Sequence, residues 1–573
     1  MTCHFPSTLL ALGLCATATV AYGQSRPNAG TLLDQQLPAP AVSPPGGPRV
    51  VFPDAKPAAS GDVSVRITPS AFRFTGNSLF SSEQLAGLLV SLVDQPTDLK
   101  GLTAAASTVA SYYRSQGYLL TEAYLPEQAF TASGGSVTIQ IIEAKIGRAS
   151  VELEGASQDV SRVFVDELLA SHLKAGDAVS EYALDKPVLL LRDLAGFDAT
   201  ATVEPGAELG EVNVRVAVKS KGRYVDGSVS LDNHGASAAG AVRGIANVSL
   251  NNLTGRGDVV SASGQLSDQQ GSHLLRLSYS LPVGGLGTRL GVSAARLNYS
   301  LGRQFAVLKA SGSADVVGLS LSHPLLRGRD TNLYGQASYE EKRLLDQTAN
   351  PVLTSEREIS SIRLGLAGNF IDKLTGSTAL NAYAFNTTLG RLKLDLTDTL
   401  LDEGPGGLHT AGLFNKFNFE YQRTQYIGRA ASLHFTLQMQ LASKNLNSAE
   451  KMALGGPSGV RSYPVGEGIG DSGTMFSLEY RYQLPPSVSV MSEPVSLLTF
   501  YDYGHIRFNQ NGSGVPGAAN TATLGAVGVG ATLGRAGHFL IKTHLAWRTT
   551  NALPSTGDAD RSPRAWLLGQ TWF

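Results

Sequence analysis

Three charged side chains in the last third of the chain, Arg461, Glu479 and Asp502, have the types and spacing to fasten one segment to another. Arg461 lies in LGGPSGVRSYP, whose glycines and prolines mark a loop. Asp502 lies in FYDYG, where a strand's period of two puts Phe500, Asp502 and Gly504 on one face and Tyr501 and Tyr503 on the other. Glu479 sits in a second alternating run, with Phe476, Leu478, Tyr480, Tyr482 and Leu484 opposite Ser477, Glu479, Arg481 and Gln483. A guanidinium meets a carboxylate through two parallel hydrogen bonds, which fixes position as well as charge. Read by itself, Arg461 is also compatible with a solvated loop arginine.

Bond-making chemistry has little to stand on. The chain contains no HExxH helix, no GxxxxGK[ST] phosphate loop and no CxxC pair, so neither metal, cofactor nor nucleotide chemistry is expected. Gly470-Asp471-Ser472-Gly473 resembles the nucleophile segment of trypsin-like proteases, where the serine needs a histidine base and an orienting carboxylate. Here it directly follows the Arg461 loop and precedes an alternating strand, so no catalytic residue is assigned and no enzyme is expected.

The elements that position these residues are set by the solvent the chain must live in. A net charge of -1 over 573 residues, 16% of them charged, leaves no basic face for nucleic acid. Mean hydropathy is -0.01, yet beyond the first twenty-odd residues no apolar run approaches the roughly 18 of a membrane helix. A membrane protein of this composition must be a closed barrel, the other structure that satisfies its own backbone in lipid. The 63 glycines and 19 tyrosines suit many tight turns and interfacial aromatics.

The amino terminus carries a short apolar stretch, Leu9 to Val20, followed by Ala21-Tyr22-Gly23, which predicts a signal peptide over 1–23. Both cysteines, Cys3 and Cys15, fall inside it, and Leu14 is too bulky for a lipidation site at Cys15. Residues 24–60 split into a segment with helical potential, Gly30 to Leu37, and a proline-rich linker. The segment is either a disordered leader or a tethered plug helix.

Two globular repeats follow, at 61–145 and 146–220, about 82 residues apart. The first predicts a strand at Val65 to Phe74, a capping box at Ser81 and Gln84, and a helix with Leu85, Leu88, Leu89 and Leu92 on one face. Its second helix carries Leu102, Ala105, Ala106, Val109 and Tyr113 and ends at Gly117, and strands at Tyr118 to Leu125 and Val137 to Ile142 complete it. The second repeat predicts a strand at Ala149 to Leu153, a helix with Val160, Phe164 and Leu168, and a helix running to about Leu194, in which Pro187 belongs to the first turn or makes a kink. Its closing strands alternate from Phe197 to Glu204 and from Val212 to Lys219.

From 221 to 573 the texture becomes alternating strands between glycine-rich or polar loops. The clearest has Leu433, Phe435, Leu437, Met439 and Leu441 opposite His434, Thr436, Gln438 and Gln440. In lipid the apolar set faces outward, which sends Glu479 and Arg481 into the lumen. About 352 residues at roughly 22 per strand and connection suggest sixteen antiparallel strands.

YYRSQGYLLTEAYLPEQ (Tyr112 to Gln128) and LLLRDLAGFDATATVEPG (Leu189 to Gly206) resemble the paired POTRA domains of two-partner secretion transporters of the hemolysin-activation type. The family's Val-Arg-Gly-Tyr loop signature matches Val460, Arg461, Ser462 and Tyr463, with Ser462 in place of glycine. Its Phe-x-Asp-x-Gly strand signature matches Phe500, Asp502 and Gly504. The resemblance implies α+β periplasmic repeats and a sixteen-stranded outer-membrane barrel, with a loop near 454–473 folded into the lumen. There Arg461 would lock onto Asp502, with Glu479 as a third member. It implies export of a large unfolded exoprotein that becomes a β-helix outside, captured on POTRA strand edges. It further implies insertion into outer-membrane lipid by the barrel-assembly machinery, which reads the terminal aromatic Phe573. A barrel-assembly insertase shares POTRA repeats and the loop signature, and stays open as an alternative; a passive porin would need no such repeats.

Overall fold

The computed structural model describes residues 27–35, 49–51, 66–129, 135–154, 159–222, 224–512, 519–556, 558 and 560–573. The predicted signal peptide, Leu37, Val65 and most of the proline-rich linker lie outside the described residues.

Helix α1 (Ala29–Asp34) starts from a reciprocal cap, in which Thr31 N–H donates to Asn28 Oδ1 and Asn28 N–H donates to Thr31 Oγ1. It is shorter than the expected Gly30 to Leu37. Leu32 and Leu33 are buried among barrel residues that include Leu297, Tyr299 and Leu344, so the helix lies within the barrel. A strand that proline density concealed, β1 (Arg49–Val51), pairs in parallel with Thr200 to Thr202.

The first α+β domain comprises β2 (Pro69–Thr75), α2 (Ser82–Gly87), α3 (Leu99–Ser115), β3 (Glu122–Tyr124) and β4 (Gly135–Ile142), with sheet order β2-β4-β3. Ser81 and Gln84 form the capping box. Helix α2 stops at Gly87, and Leu92 belongs instead to a 3-10 turn, because the chain turns back to the sheet where Asp94 N–H donates to Pro69 O. Helix α3 buries Leu102, Ala105, Ala106, Val109 and Tyr113, and Gly117 leaves it at a φ of 88°. The strand expected from Tyr118 contracts to β3. Tyr118 N–H is used to close the helix end on Tyr113 O, and its ring packs edge-on against Phe80 at 5.9 Å.

The second domain comprises β5 (Lys145–Glu154), α4 (Arg162–His172), α5 (Glu181–Arg192), β6 (Phe197–Pro205) and β7 (Glu211–Ser220), in the order β1-β6-β7-β5. Phe197, Ala199, Ala201 and Val203 alternate into its core with Val214, Val216 and Val218. Pro187 lies buried inside α5 beyond its first turn, where it removes one backbone donor.

The remainder is a closed barrel of sixteen antiparallel strands, from Val225–Asp232 to Arg564–Trp572, sealed by pairing Leu568 to Trp572 with Ser228 to Asp232. Among the described residues no helix is long and apolar enough to cross a membrane. Leu364, Leu366, Val527 and Val529 stay exposed on the outer surface, while their strand neighbours turn small or polar side chains inward. Phe573 follows the last strand and exchanges two backbone hydrogen bonds with Gly227, at 3.0 and 3.1 Å. Its ring covers that glycine so closely that a Cβ there would lie 2.1 Å from it.

Ion pairs dock the second α+β domain on the barrel turns. Arg327 makes two 2.7 Å contacts with Asp193, and Arg329 reaches Asp185 at 2.6 Å and Glu181 at 2.8 Å.

Candidate functional site

The segment between strands Ala431–Ala442 and Ser472–Gln483 folds into the lumen instead of standing outside it. Met452 and Ala453 pair antiparallel with Ile469 and Gly470, which makes a narrow neck. Beyond the neck, Gly456, Gly466 and Gly468 adopt φ of 123°, 82° and 63° and let the tip turn tightly. Ser462 is not among the described residues of positive φ, so the missing glycine costs no backbone strain there. Its hydroxyl instead donates to Gly525 O at 3.1 Å.

Arg461 is 3% exposed and every nitrogen of its guanidinium is used. Nε and Nη2 donate to the two oxygens of Asp502 at 2.8 and 2.6 Å, Nη1 to Glu479 at 2.6 Å, and Nη2 also to Ser477 Oγ at 2.9 Å. Its backbone N–H adds a further bond to Asp502 at 3.1 Å. The guanidinium plane lies over the Phe500 ring, with Cζ 3.4 Å from the centroid. Trp566 Nε1–H donates to Arg461 O at 2.7 Å, tying the tip to the last strand.

Strand periodicity explains why these partners meet. Ser477 pairs with Asp502 and Glu479 with Phe500 across neighbouring strands, so all four project to the same inner face. Gly504 continues that face and leaves room for the loop: a Cβ there would lie 2.9 Å from Leu454. Val460 and Tyr463 are fully buried beside Leu454, Met475 and Ile506. The Tyr463 hydroxyl donates to Ala552 O at 2.8 Å and lies 2.9 Å from Thr550 Oγ1. Phe573 stands apart from this group, at the closing seam.

Two further networks escape sequence reasoning. Glu450, 1% exposed at the loop base, takes Lys342 at 2.7 Å and Lys416 at 2.8 Å. Asp471, fully buried, receives Lys451 at 2.9 Å and the backbone N–H groups of Leu446 and Gln510. Ser472, in the protease-like tetrapeptide, donates to Gln510 at 2.9 Å and accepts from Ala442 N–H at 3.0 Å. Among the described residues no histidine hydrogen-bonds it.

Helix α1 packs against this same loop. Ala29 N–H donates to Asp346 Oδ1 at 2.9 Å, and Tyr299 and Arg357 hold that carboxylate from the wall. Ser448 Oγ donates to Asn28 Oδ1 at 2.9 Å, and Gly30 sits so close to Ala449 that a Cβ would lie 2.7 Å from its own. Of the strand edges, that of β6 is covered by β1, whereas among the described residues the one strand paired with β5 is β7, beside a single bridge from Lys145 to Ala178, and the one paired with β2 is β4.

The model of the family described as haemolysin secretion/activation protein ShlB/FhaC/HecB matches residues 210–533, and the ShlB-type POTRA domain matches residues 67–144. The chain belongs to the haemolysin secretion/activation family. Among relatives of this family, the heme/hemopexin transporter protein HuxB of Haemophilus influenzae (strain 86-028NP) is 28% identical over 466 residues, 81% of this chain and 80% of that one. The outer membrane transporter CdiB of Dickeya dadantii (strain 3937) is 24% identical over 424 residues, 72% of this chain and 71% of that one. Among solved structures, CdiB from Escherichia coli superposes with a TM-score of 0.70 at 19% identity, covering 91% of this chain and 93% of the other. CdiB from Acinetobacter baumannii gives 0.63 at 15% identity, covering 92% and 94%. As a member of the haemolysin secretion/activation family, this chain is an outer-membrane barrel transporter that secretes an exoprotein, with its POTRA region in the periplasm.

Proposed function

We propose that the client is one large, unfolded exoprotein of the haemolysin or adhesin type, and that the Arg461 network is a lock that holds the inward loop in the position export requires. The observation that carries this reading is an inward loop inside a closed barrel, with a fully used guanidinium at its tip and a short helix packed against its base in the same lumen. In the proposed sequence the client adds a strand to an exposed POTRA edge, α1 leaves its seat, the chain passes the lumen, and folding as a β-helix outside prevents return. No nucleotide is available in the periplasm, so binding and distal folding supply the direction. Residues 24–60 serve as plug and tether, 61–145 and 146–220 as client-facing repeats, and 221–573 as the pore. Insertion into outer-membrane lipid uses the barrel-assembly machinery, with Phe573 as part of its recognition signal.

The experiment is deletion of this gene followed by comparison of secreted and outer-membrane proteins. Loss of one large secreted species, with the other barrel proteins unchanged, is the expected outcome. A general fall in barrel proteins would overturn the reading in favour of an insertase.

A further inference from the structure

The periplasmic half of the lumen encloses a cavity of about 650 Å³. Phe164, Leu168, Leu190 and Leu194 of the second α+β domain form its lower lip, and Ala449, against which α1 rests, closes its far end. One wall is nearly free of bulk: Ser280, Gly291, Ser293, Ser320, Ser338 and Gly365 face inward from adjacent strands. Small side chains leave the width, and their hydroxyls accept or donate without selecting a sequence.

The charges around that space are one-sided. Among the described residues, Arg276, Arg289, Lys342, Arg363 and Lys416 line it against Asp193 and Glu340. Asp193 is already engaged by Arg327, and Lys342 and Lys416 share the carboxylate of Glu450, with Lys342 also 3.7 Å from Glu340. Arg363 meets Glu340 only at 3.9 Å, with Glu420 as a more distant neighbour, and Arg289 donates to Ser280 Oγ and Gly257 O, with Asp193 and Asp258 nearby. Arg276 makes no ion pair among the described residues. A low-dielectric cleft lined by one sign of charge focuses its field on whatever enters.

We infer that this cavity is a charge-selective vestibule, which admits an extended polypeptide segment of small polar residues carrying carboxylates and disfavours a lysine-rich one. The inference rests on the reading that the client passes through the lumen, and it adds the chemical class of chain that passes. Arg276 and Arg363 are the selecting residues, because among the described residues Arg276 has no ion pair and Arg363 has none closer than 3.9 Å, whereas both recorded bonds of Arg289 go to the barrel wall.

The full-length protein carrying Ser293→Cys, reconstituted in detergent, is mixed with two maleimide-capped fluorescent peptides of equal length, a Gly-Ser-Asp repeat and a Gly-Ser-Lys repeat. Protein without that substitution supplies the background. At about 10 mM salt, where the screening length is about 30 Å, the acidic peptide labels the thiol at least about tenfold faster. At about 1 M salt, with a screening length of about 3 Å, the two rates converge. Arg276→Gln with Arg363→Gln abolishes the preference, whereas Arg276→Lys with Arg363→Lys retains it, both in barrels that keep their heat-modifiable migration. Equal labelling by both peptides at low salt overturns the charge selection while leaving the passage intact. Labelling by neither peptide overturns the vestibule and the proposed path together.

Discussion

Replacing Arg461 by alanine tests the fastening most directly. The change removes both contacts to the Asp502 side chain from the guanidinium, the contacts to Glu479 and Ser477, and the stacking on Phe500. Glu479 keeps Arg481 as a partner. Asp502, fully buried, keeps among the described residues the backbone N–H of position 461 at 3.1 Å and Ser477 Oγ at 2.7 Å. Breaking a buried ion pair on one side costs roughly 3–5 kcal/mol. At about 1.4 kcal/mol per tenfold, that shifts the seated loop towards the released one by about a hundredfold to a few thousandfold. The barrel itself survives, because none of the sixteen strands depends on the tip for its ladder. The assay pairs client secretion with outer-membrane abundance. Alkylation of Ser462→Cys reports the tip, since position 462 is 1% exposed when seated. Arg461→Ala is expected to label rapidly at 462 and to lose most secretion at normal abundance; Arg461→Lys, which keeps charge without the fork, falls between. Normal secretion at normal abundance, or a thiol that stays protected, would refute the reasoning.

Gly30→Leu forces a side chain into the space held by Ala449, so α1 should lose its seat, and single-channel recordings should show larger and longer openings than the parent. Arg327→Ala leaves Asp193 without its two 2.7 Å contacts; hydrogen exchange should rise in α5 while the barrel strands stay protected. His172, at the barrel-facing end of α4, has its pKa lowered to about 4, by burial first and by nearby Lys186 second. Its folded value lies below the unfolded one, so the neutral form's contribution is complete above about pH 6.5 and is lost as pH falls towards 4. The loss has an upper limit of about 2 kcal/mol at pH 5, and denaturation of His172→Asn should lack that part of the pH dependence. Glu143 behaves similarly on the acid side. Burial raises its pKa, but hydrogen bonds from Ser78, Leu79 and Tyr113 outweigh that and lower it, so the first domain should lose stability as pH drops below the ordinary glutamate range.

The barrel was legible because its signal is local. Period-two alternation in runs such as Leu433 to Leu441 states which face meets lipid, and repetition of such runs leaves a closed cylinder as the physical solution. Capping at Ser81 and the helix end at Gly117 were legible for the same reason, since each needs only a few neighbouring residues. Residue type could nominate Arg461, Glu479 and Asp502, but their contacts span 18 and 41 positions of chain and depend on a loop folding inward. Glu450 with Lys342 joins residues 108 positions apart and left no pattern to read. Strand β1 was hidden because its pairing comes wholly from the edge of β6, which a proline-rich context does not announce. Helix α1 is only six residues long, too short to be stable alone, so its bounds are set by the lumen around it.

The cylinder is cut obliquely. Strands Val225–Asp232, Arg243–Asn251 and Arg564–Trp572 have 8, 9 and 9 residues, about what a bilayer requires. Thr331–Ala349 and Val352–Asp372 have 19 and 21, and at about 3.4 Å per residue the excess raises a parapet of roughly 35–40 Å along the strand direction. The rim is therefore lowest beside the closing seam, and any polypeptide leaving the pore is sheltered on one flank while its other flank is already bathed in bulk water.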